Sequence, residues 1–419
     1  MPAKVVRIPL DKAASRIQAL LKVNPSGTSP VHAAAGRCLA EDLKAAWPLP
    51  THDISHMDGY AVRSVDLVAA AAGSPVVLNV VGISRPDDLG APPIAASSCA
   101  RVLTGGRIPA GADAVVPQEL VSRVDGRASF MGRVEPYAHV HRAGSDVREG
   151  TLLFSRGRLL DARDISFLLS YGLSEISVCP TLRVGVLATG SELVESARGM
   201  AVGKIPESNR MVLAEILGQT GFDVIDLGIA KDDPVEIAAT LKRGVERCDA
   251  VLTTGGSSVS EADLVPDALG LLGGIEVFHG LLLRPSRTMG AFFVGDVPVF
   301  LLSGLIQASV SALFNVVYPS LKFMQGLGWQ LLPSVKASLV TSLESRGDDP
   351  YRRVIWVRVT ADGGRLLAKP AAAASTTRFV LTYVNGFFMA EPGEALTAGE
   401  LVDVMIPPGF GIEAALGGR

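Results

Sequence analysis

From Leu182 to Gly326 apolar strands and amphipathic helices alternate, and this alternation constrains the fold more than any other feature. RVGVLAT is a continuous apolar strand and SNRMVLAEILGQTG an amphipathic helix closed by Gly221. FDVIDLG is the next strand, PVEIAATLKRGVE the next helix and DAVLTTGG the third strand. Apolar runs without polar alternation are the mark of strands buried on both faces. Separated by helices, they predict a parallel sheet covered by helices, with ligands bound beyond the carboxyl ends of the strands. The stretch Val297–Leu321 carries no charged residue and is long enough to span a bilayer. Pro298, Gly304, Gln307, Asn315 and Pro319 interrupt it, so it reads as buried strand, turn and helix, and no membrane span is expected.

A chain of 419 residues exceeds one ordinary core. Leu10, Ala13, Ile17 and Leu20 recur at helical spacing, and VHAAAGRCLA predicts a second short helix. From Pro48 short strands and Gly/Pro/Asp turns take over, until DARDISFLLSYGL restores a helical pattern; from about residue 333 short β segments return. The expected fold class is α/β multidomain. A helical domain (1–47 and 148–179) carries an inserted β-rich domain (48–147), followed by an α/β domain (180–327) and a C-terminal β domain (332–419). A net charge of -3 provides no global field for nucleic acid, so an anion site must be local. Cys38, Cys99, Cys179 and Cys248 are far apart with no C-x-x-C, which argues against structural zinc or a disulfide framework and fits a reducing cytosol. The N-terminus has charges throughout and no apolar stretch, so it does not read as a signal peptide, and a cytoplasmic protein is expected.

Several turns carry residues suited to chemistry. SHMDGYAVRSVD places Asp58 before Gly59, either as a plain turn with a solvated carboxylate or as part of a site. LTGGRIPAGADAVV sets Thr104 beside two glycines whose bare amides can approach an anion, and HRAGSDVREG puts Asp146 in another tight turn. ATGSELVE delivers Thr189, Gly190, Ser191 and Glu192 to a strand end, with a helix cap as the plain alternative for Ser191. Ser208 or Asn209 would cap the helix after KIPESN, and Asp232-Asp233 the helix at Pro234. Gly255, Gly256 and Ser258 in TTGGSSVSEAD can hold a phosphate through backbone amides. The loop is neither a Walker A motif nor a dinucleotide fingerprint. Glu192, Asp232, Asp233, Glu261 and Asp263 would surround that anion loop, and carboxylates beside an anion need a bridging cation. Oxygen-only ligands point to Mg²⁺, and with it to phosphoryl or nucleotidyl chemistry or to a phosphorylated cofactor.

Together these strings resemble the molybdopterin molybdenumtransferase (MoeA/gephyrin) family. MDGYAVR, TGG-x-x-PAGADAVV, the GSD turn before GTLL, ATGSEL, the SN pair, the DD pair and TTGG-x-x-VSEAD occur in the family's order over nearly the whole chain. The resemblance implies an L-shaped homodimer of four-domain subunits. Such proteins take adenylylated molybdopterin and molybdate as substrates, use Mg²⁺, release AMP and leave molybdenum on the dithiolene. They would meet the adenylyltransferase that supplies their substrate and the molybdoenzymes that accept their product. By that carry-over Asp58, Thr104, Asp146, Glu192, Asp233 and Asp263 are catalytic, with Glu192 and Asp263 on the metal. Thr189, Gly190, Ser191, Gly255, Gly256, Ser258, Arg284, Arg287 and Ser375 would bind the cofactor side.

The departures lie on the oxyanion side. Where the family carries K-P-G-K-P this chain has Leu283-Arg284-Pro285-Ser286-Arg287-Thr288, with Gly280 where a further lysine is often found. L-P-G-N-P-V-S has become Leu302-Ser303-Gly304-Leu305-Ile306-Gln307-Ala308. A Gly-Ser-Gly turn reads Ala374-Ser375-Thr376 before a retained Asn385-Gly386, and the Asp before the SN pair is Glu207. Arginine keeps the charge but not the geometry of lysine, and the second loop loses an amide and two fixed φ angles. Two readings follow: an Mg²⁺-dependent enzyme with a changed molybdate pocket, or a non-catalytic paralogue that binds the pterin or finished cofactor as a carrier or partner of a molybdoenzyme.

Overall fold

A computed structural model of the chain describes residues 6–196, 201–256, 264–371 and 378–410. Two compact units emerge, Glu41–Arg156 and the remainder, Met1–Ala40 with Gly157–Arg419.

The Glu41–Arg156 unit is built on six strands: β1 (Gly59–Val62), β2 (Val76–Ser84), β3 (Ser98–Val102), β4 (Ala114–Pro117), β5 (Val121–Val124) and β6 (Arg127–Phe130). Their order in the sheet is β4-β1-β3-β2-β6-β5, and β2–β3 is its one parallel pair. Tyr60, Val62, Leu78, Cys99 and Phe130 make the core beneath it. Gly59 has no room for a side chain, since a Cβ would stand 2.4 Å from the Val116 carbonyl oxygen. That contact fixes β1 against β4 and leaves Asp58 at the strand's entrance.

In the other unit α1 (Leu10–Gln18) buries Ala13 and Ile17 and carries Asp11 in its first turn, where the helix dipole favours an anion. The expected second helix does not form. Val31–Ala33 is a single 3-10 turn, after which Cys38 and Leu39 bridge to Leu159 and Val178 as extended chain. Cross-chain pairing has overridden alanine-rich propensity, which is a weak local preference. The helix expected from DARDISFLLSYGL does form as α2 (Ala162–Tyr171). Asp161 accepts from the Arg163 and Asp164 amides in a capping box, and Gly172 closes the helix at φ 93°. The Arg163 guanidinium and those amides hold the Asp161 carboxyl down at about 2.

The α/β domain adds β7 (Arg183–Thr189), α3 (Asn209–Gln219), β8 (Asp223–Ala230), α4 (Pro234–Val245), β9 (Ala250–Thr254), α5 (Leu264–Leu271), β10 (Ile275–His279), β11 (Gly290–Val294) and β12 (Val297–Leu302). Sheet order is β8-β7-β9-β12-β11-β10. The first four strands are parallel, as the alternation predicted, but β11 runs antiparallel to both of its neighbours, β12 and β10. Only Gly295 and Asp296 join β11 to β12, and a two-residue link permits a hairpin but no crossover. Val184, Val186, Ala250 and Leu252 enter one core with Leu213, Leu217 and Phe314. Leu187, Val251 and Leu301 enter the second with Ile237, Leu241 and Leu269. Burial on both faces accounts for the continuous apolar runs. After β12 the chain continues as α6 (Ile306–Ala312), a π-helical turn (Leu313–Val317) and α7 (Tyr318–Met324). No described helix is long and apolar enough to cross a membrane.

The C-terminal β domain comprises β13 (Ser334–Leu339), β14 (Arg352–Asp362), β15 (Arg365–Pro370), β16 (Gly386–Ala390) and β17 (Leu401–Met405). They pair in the order β14-β15-β13-β17-β16, and β14 also pairs with β16, closing a barrel. Asn385 completes the closure as a backbone surrogate: its amide accepts from Val359 N at 2.6 Å and donates to Val359 O at 3.0 Å. Leu283–Arg284 adds to the barrel's edge by parallel pairing with Arg352 and Arg353.

Candidate functional site

A cleft of about 140 Å³ opens at the carboxyl ends of β7, β9 and β12. Thr189 and Thr254 form its floor, Gly255 and Gly304 one side, and Ile205–Asn209 the other, with Glu192 at the mouth. Sites for whole small molecules run to roughly 300–1,000 Å³, so this cleft suits one polar end of a ligand, a phosphate or oxyanion. Gly255 is a geometric necessity. Its φ is +89°, and a Cβ would lie 2.3 Å from the Thr189 carbonyl oxygen. The backbone of β9 can therefore turn over β7 only with bare glycine, and Gly255 N donates to Leu302 O at 3.2 Å.

The walls are tied together by polar contacts. Asn209 Nδ2 donates to Gly304 O at 2.7 Å, joining the first turn of α3 to the rewritten Ser303–Ala308 loop. Ser309 Oγ donates to Ser303 O, and Ser286 Oγ to Ala308 O at 2.9 Å, so the two divergent strings brace one another. Ser208 occupies the cap position of α3 without a side-chain bond; Glu207 caps it instead, its Oε1 accepting from Arg210 N at 2.9 Å. Glu207 is 8% exposed and lines the cleft. Its Oε2 has no hydrogen bond and faces Arg210 Nε at 3.4 Å. The buried Arg210 side chain also holds Glu195 at 2.7 Å and Asp226. Burial opposes its charge, and those three carboxylates outweigh burial and raise its pKa.

Ser191 does not cap a helix. Its N–H donates to Asp232 Oδ2 at 2.8 Å and its Oγ accepts from Asp232 N at 3.0 Å, tying the end of β7 to that of β8. Lys204 Nζ donates to Ser191 O at 2.6 Å. Asp233 does cap α4, accepting from Val235 N at 2.7 Å and Glu236 N at 3.3 Å. Of the predicted residues, Thr189, Glu192 and Gly255 share the cleft, while Gly190, Ser191, Asp233 and Gly256 lie in the loops just beyond the strand ends. Ser258, Glu261, Asp263 and Ser375 fall outside the described residues. Glu207, Asn209 and Thr254 are additions. Glu207 and Asn209 were visible as an altered acid and a cap candidate; their shared cleft was not.

The two arginines of the divergent string part company. Arg284 Nη1 bonds Asp349 Oδ2 at 2.5 Å and its guanidinium lies 4.2 Å from the Tyr351 ring centroid, inside the barrel edge. Arg287 is exposed and makes no side-chain hydrogen bond or ion pair among the described residues.

Within the Glu41–Arg156 unit the three motif turns are fastened to one segment, Leu49–Asp58. Asp58 Oδ1 accepts from Thr104 N at 2.8 Å and from Thr104 Oγ1 at 2.9 Å. These bonds, backbone first, hold its carboxyl below the usual range. Ser55 exchanges backbone bonds with Gly105 and Gly106. The Asp146 turn is anchored through Asp146 N to Leu49 O at 3.0 Å and Ala143 N to Asp53 Oδ1 at 2.8 Å. His141 is half-buried and meets the His56 ring edge-on at 4.6 Å.

The chain matches the MoeA N-terminal region (domains I and II) over residues 8–172 and a probable molybdopterin binding domain over residues 185–322. It is 32% identical to molybdopterin molybdenumtransferase 2 of Mycobacterium tuberculosis, over 78% of this chain and 82% of the relative. The chain belongs to the molybdopterin molybdenumtransferase family. A Staphylococcus aureus molybdopterin molybdenumtransferase is 27% identical over 95% of both chains. The crystal structure of a molybdopterin biosynthesis MoeA protein from Pyrococcus horikoshii superposes with a TM-score of 0.82 at 28% identity, covering 97% of this chain and all of that one. The family match over 185–322 contains the whole cleft, and the match over 8–172 contains the Asp58–Thr104 pair.

Proposed function

We propose that the chain is a transferase of molybdenum cofactor biosynthesis that inserts molybdate into adenylylated molybdopterin with release of AMP. The observation that carries this reading is the cleft at the strand ends, where the bare Gly255 backbone stands beside Glu192 and Glu207. Glycine-lined backbone suits the phosphate end of the pterin, and paired carboxylates beside a phosphate call for a divalent cation. The residues fit Mg²⁺: Glu207 Oε2 is a buried oxygen without a hydrogen bond, and Glu192 is an oxygen donor on the same cleft. Glu192, Glu207 and Asp263 would hold the ion, with phosphate oxygens and water completing a shell that magnesium seldom draws from protein alone. When bound, it would offset negative charge on the phosphates.

The chain's own residues do the positioning. Asn209 and Gly304 fix the cleft's width, Gly255 lets the phosphate approach, and Arg210 orients Glu207. Asp58, Thr104 and Asp146, supplied in this reading by the second subunit of a homodimer, orient the leaving AMP or the attacking oxygen. Arg287 is the candidate molybdate contact, whereas Arg284 serves the barrel edge.

One observation favours the alternative of a binding paralogue: the cleft's rewritten loop presents Leu305, 58% exposed, where the family has asparagine. The deciding experiment incubates purified protein with adenylylated molybdopterin, Mg²⁺ and molybdate and follows AMP and active cofactor. Both should appear, and Glu192→Gln should lower the rate on the order of 100-fold. Tight pterin binding with no AMP above background would establish the paralogue instead. AMP without molybdenum insertion would place the defect at Arg287 and Ser303–Ala308.

A further inference from the structure

Cys38 and Cys179 lie 141 positions apart in sequence by their numbers but opposite one another in space. Leu39 pairs antiparallel with Val178, and this register sets Cys38 directly across from Cys179. Cys179 N donates to Cys38 O at 2.7 Å, and Ala40 N to Ser177 O at 3.0 Å, continuing the same ladder. Cross-strand partners bring their Cβ atoms to about 4.5–5.5 Å, close to the span a disulfide requires. Both thiols are buried, at 5% and 2% exposure, in a small apolar cluster with Leu327. Cys38 Sγ donates to Gly157 O at 3.2 Å and Cys179 Sγ to Leu39 O at 3.6 Å. Cys99 and Cys248 are also buried, but each lies in a different core.

The surroundings separate this pair from those two. Lys322 on α7 is 5% exposed, donates to Gln325 Oε1 at 3.1 Å and lies over the Phe222 and Tyr318 rings. Among the described residues no carboxylate pairs with it. Its ammonium and the Cys179 thiol, the latter foremost, bring Cys38 down to about 7, while burial pushes Cys99 up to about 12. A thiolate is the nucleophile in thiol chemistry, so Cys38 is the reactive sulfur and Cys179 the group placed to resolve it.

We propose that Cys38 and Cys179 form a redox-active dithiol that small peroxides convert reversibly to an intrachain disulfide. The Cys38 thiolate attacks one oxygen of hydrogen peroxide. The O–O bond breaks, hydroxide leaves and is protonated to water, and Cys38 becomes a sulfenic acid. Cys179 gives up its proton and attacks the Cys38 sulfur, expelling the hydroxyl as a second water. Two thiols and one peroxide thus yield one disulfide and two waters. Each sulfur loses one electron and the peroxide gains two. Burial excludes larger oxidants, which makes the substrate class small peroxides.

The test treats the full native chain with near-stoichiometric hydrogen peroxide, blocks remaining thiols with N-ethylmaleimide and maps the peptides by mass. The expected result is a Cys38–Cys179 linked peptide lighter by two hydrogens, with Cys99 and Cys248 alkylated and all four thiols recovered after dithiothreitol. In Cys179→Ala the same treatment should leave a sulfenic acid on Cys38 that a dimedone probe captures. Lys322→Met should slow disulfide formation several-fold in the native protein. Oxidation of Cys99 or Cys248 ahead of the pair would overturn the proposal. So would a Cys38 sulfinic acid formed while the Cys179 thiol persists, or no oxidation until the chain is denatured.

Discussion

Two donors of one residue, the amide and the hydroxyl of Thr104, converge on a single oxygen of Asp58. Hydrogen bonds to the ionised form favour it, and here they outweigh the opposing effect of partial burial. A carboxyl held below its unfolded value stabilises the native state above the ordinary carboxylate range and loses that contribution as pH falls through the depressed value. Thr104→Val keeps the amide bond and deletes the hydroxyl, so the Asp58 pKa should rise toward the ordinary range in a carboxyl NMR titration. An unchanged titration would mean that the amide alone sets it. The arginines give a second contrast at this scale. Sequence reading paired Arg284 with Arg287 as oxyanion ligands because both replace lysines, whereas Asp349 and Tyr351 claim Arg284. Arg284→Met should cost ~1 kcal/mol of stability, after discounting for partial exposure, and leave the molybdate requirement unchanged. Arg287→Ala should spare stability and raise the molybdate concentration needed for half-maximal turnover. A flat molybdate response in Arg287→Ala would remove that residue from the site.

Elements were legible where their signal is local. Pro at the first position, an Asp before it and apolar residues at 3.6 spacing announced α4, and Asp233 caps it with two amide bonds. If that cap is its main duty, Asp233→Ala should cost about 1 kcal/mol in a thermal melt, while Asp233→Asn, which can cap equally, should cost little. A loss of turnover in Asp233→Asn with the melt unchanged would instead give the carboxylate charge a role in catalysis. Elements were illegible where a distant partner decides. VHAAAGRCLA has helix-forming alanines, yet Leu159 and Val178 recruit its second half into bridges. The antiparallel β11 is as apolar as its parallel neighbours, and only the two-residue link at Gly295-Asp296 betrays the hairpin. The π-helical turn at Leu313–Val317 rests on Asn315, whose Nδ2 donates to Ser311 O at 2.8 Å, and periodicity does not register one extra residue in a turn.

For the whole molecule, the change of texture near Pro48 and its reversal near residue 150 led to the expectation of an inserted domain over 48–147, while the compact unit spans Glu41–Arg156. Leu39 N donates to Arg158 O at 2.9 Å and Gly157 N to Leu39 O at 2.8 Å, so the two connecting strands are hydrogen-bonded neighbours on the host side. On the inserted side Leu43 pairs with Phe154 and Ala45 with the Gly150–Thr151 turn. An insertion whose ends are already adjacent costs its host little closure entropy and can be removed without pulling the host apart. The cleft depends on β7, β9, β12 and α3, all in the host, and the Asp58–Thr104 pair depends only on the insert. Replacing residues 41–156 by a two-residue Asn-Gly turn should therefore leave a chain that melts cooperatively, with slow hydrogen exchange along β7 and β9 and pterin binding within about tenfold of the full protein. The excised 41–156 segment should fold separately and retain the low Asp58 titration. Turnover should vanish from both pieces, because neither piece then carries both the cleft and the Asp58 turn that the proposed homodimer brings together. A truncated host that melts broadly, or exchanges its β7 amides at once, would show that the insert contributes to the core and that the family's domain order is an energetic necessity, not a convenience of the chain's path.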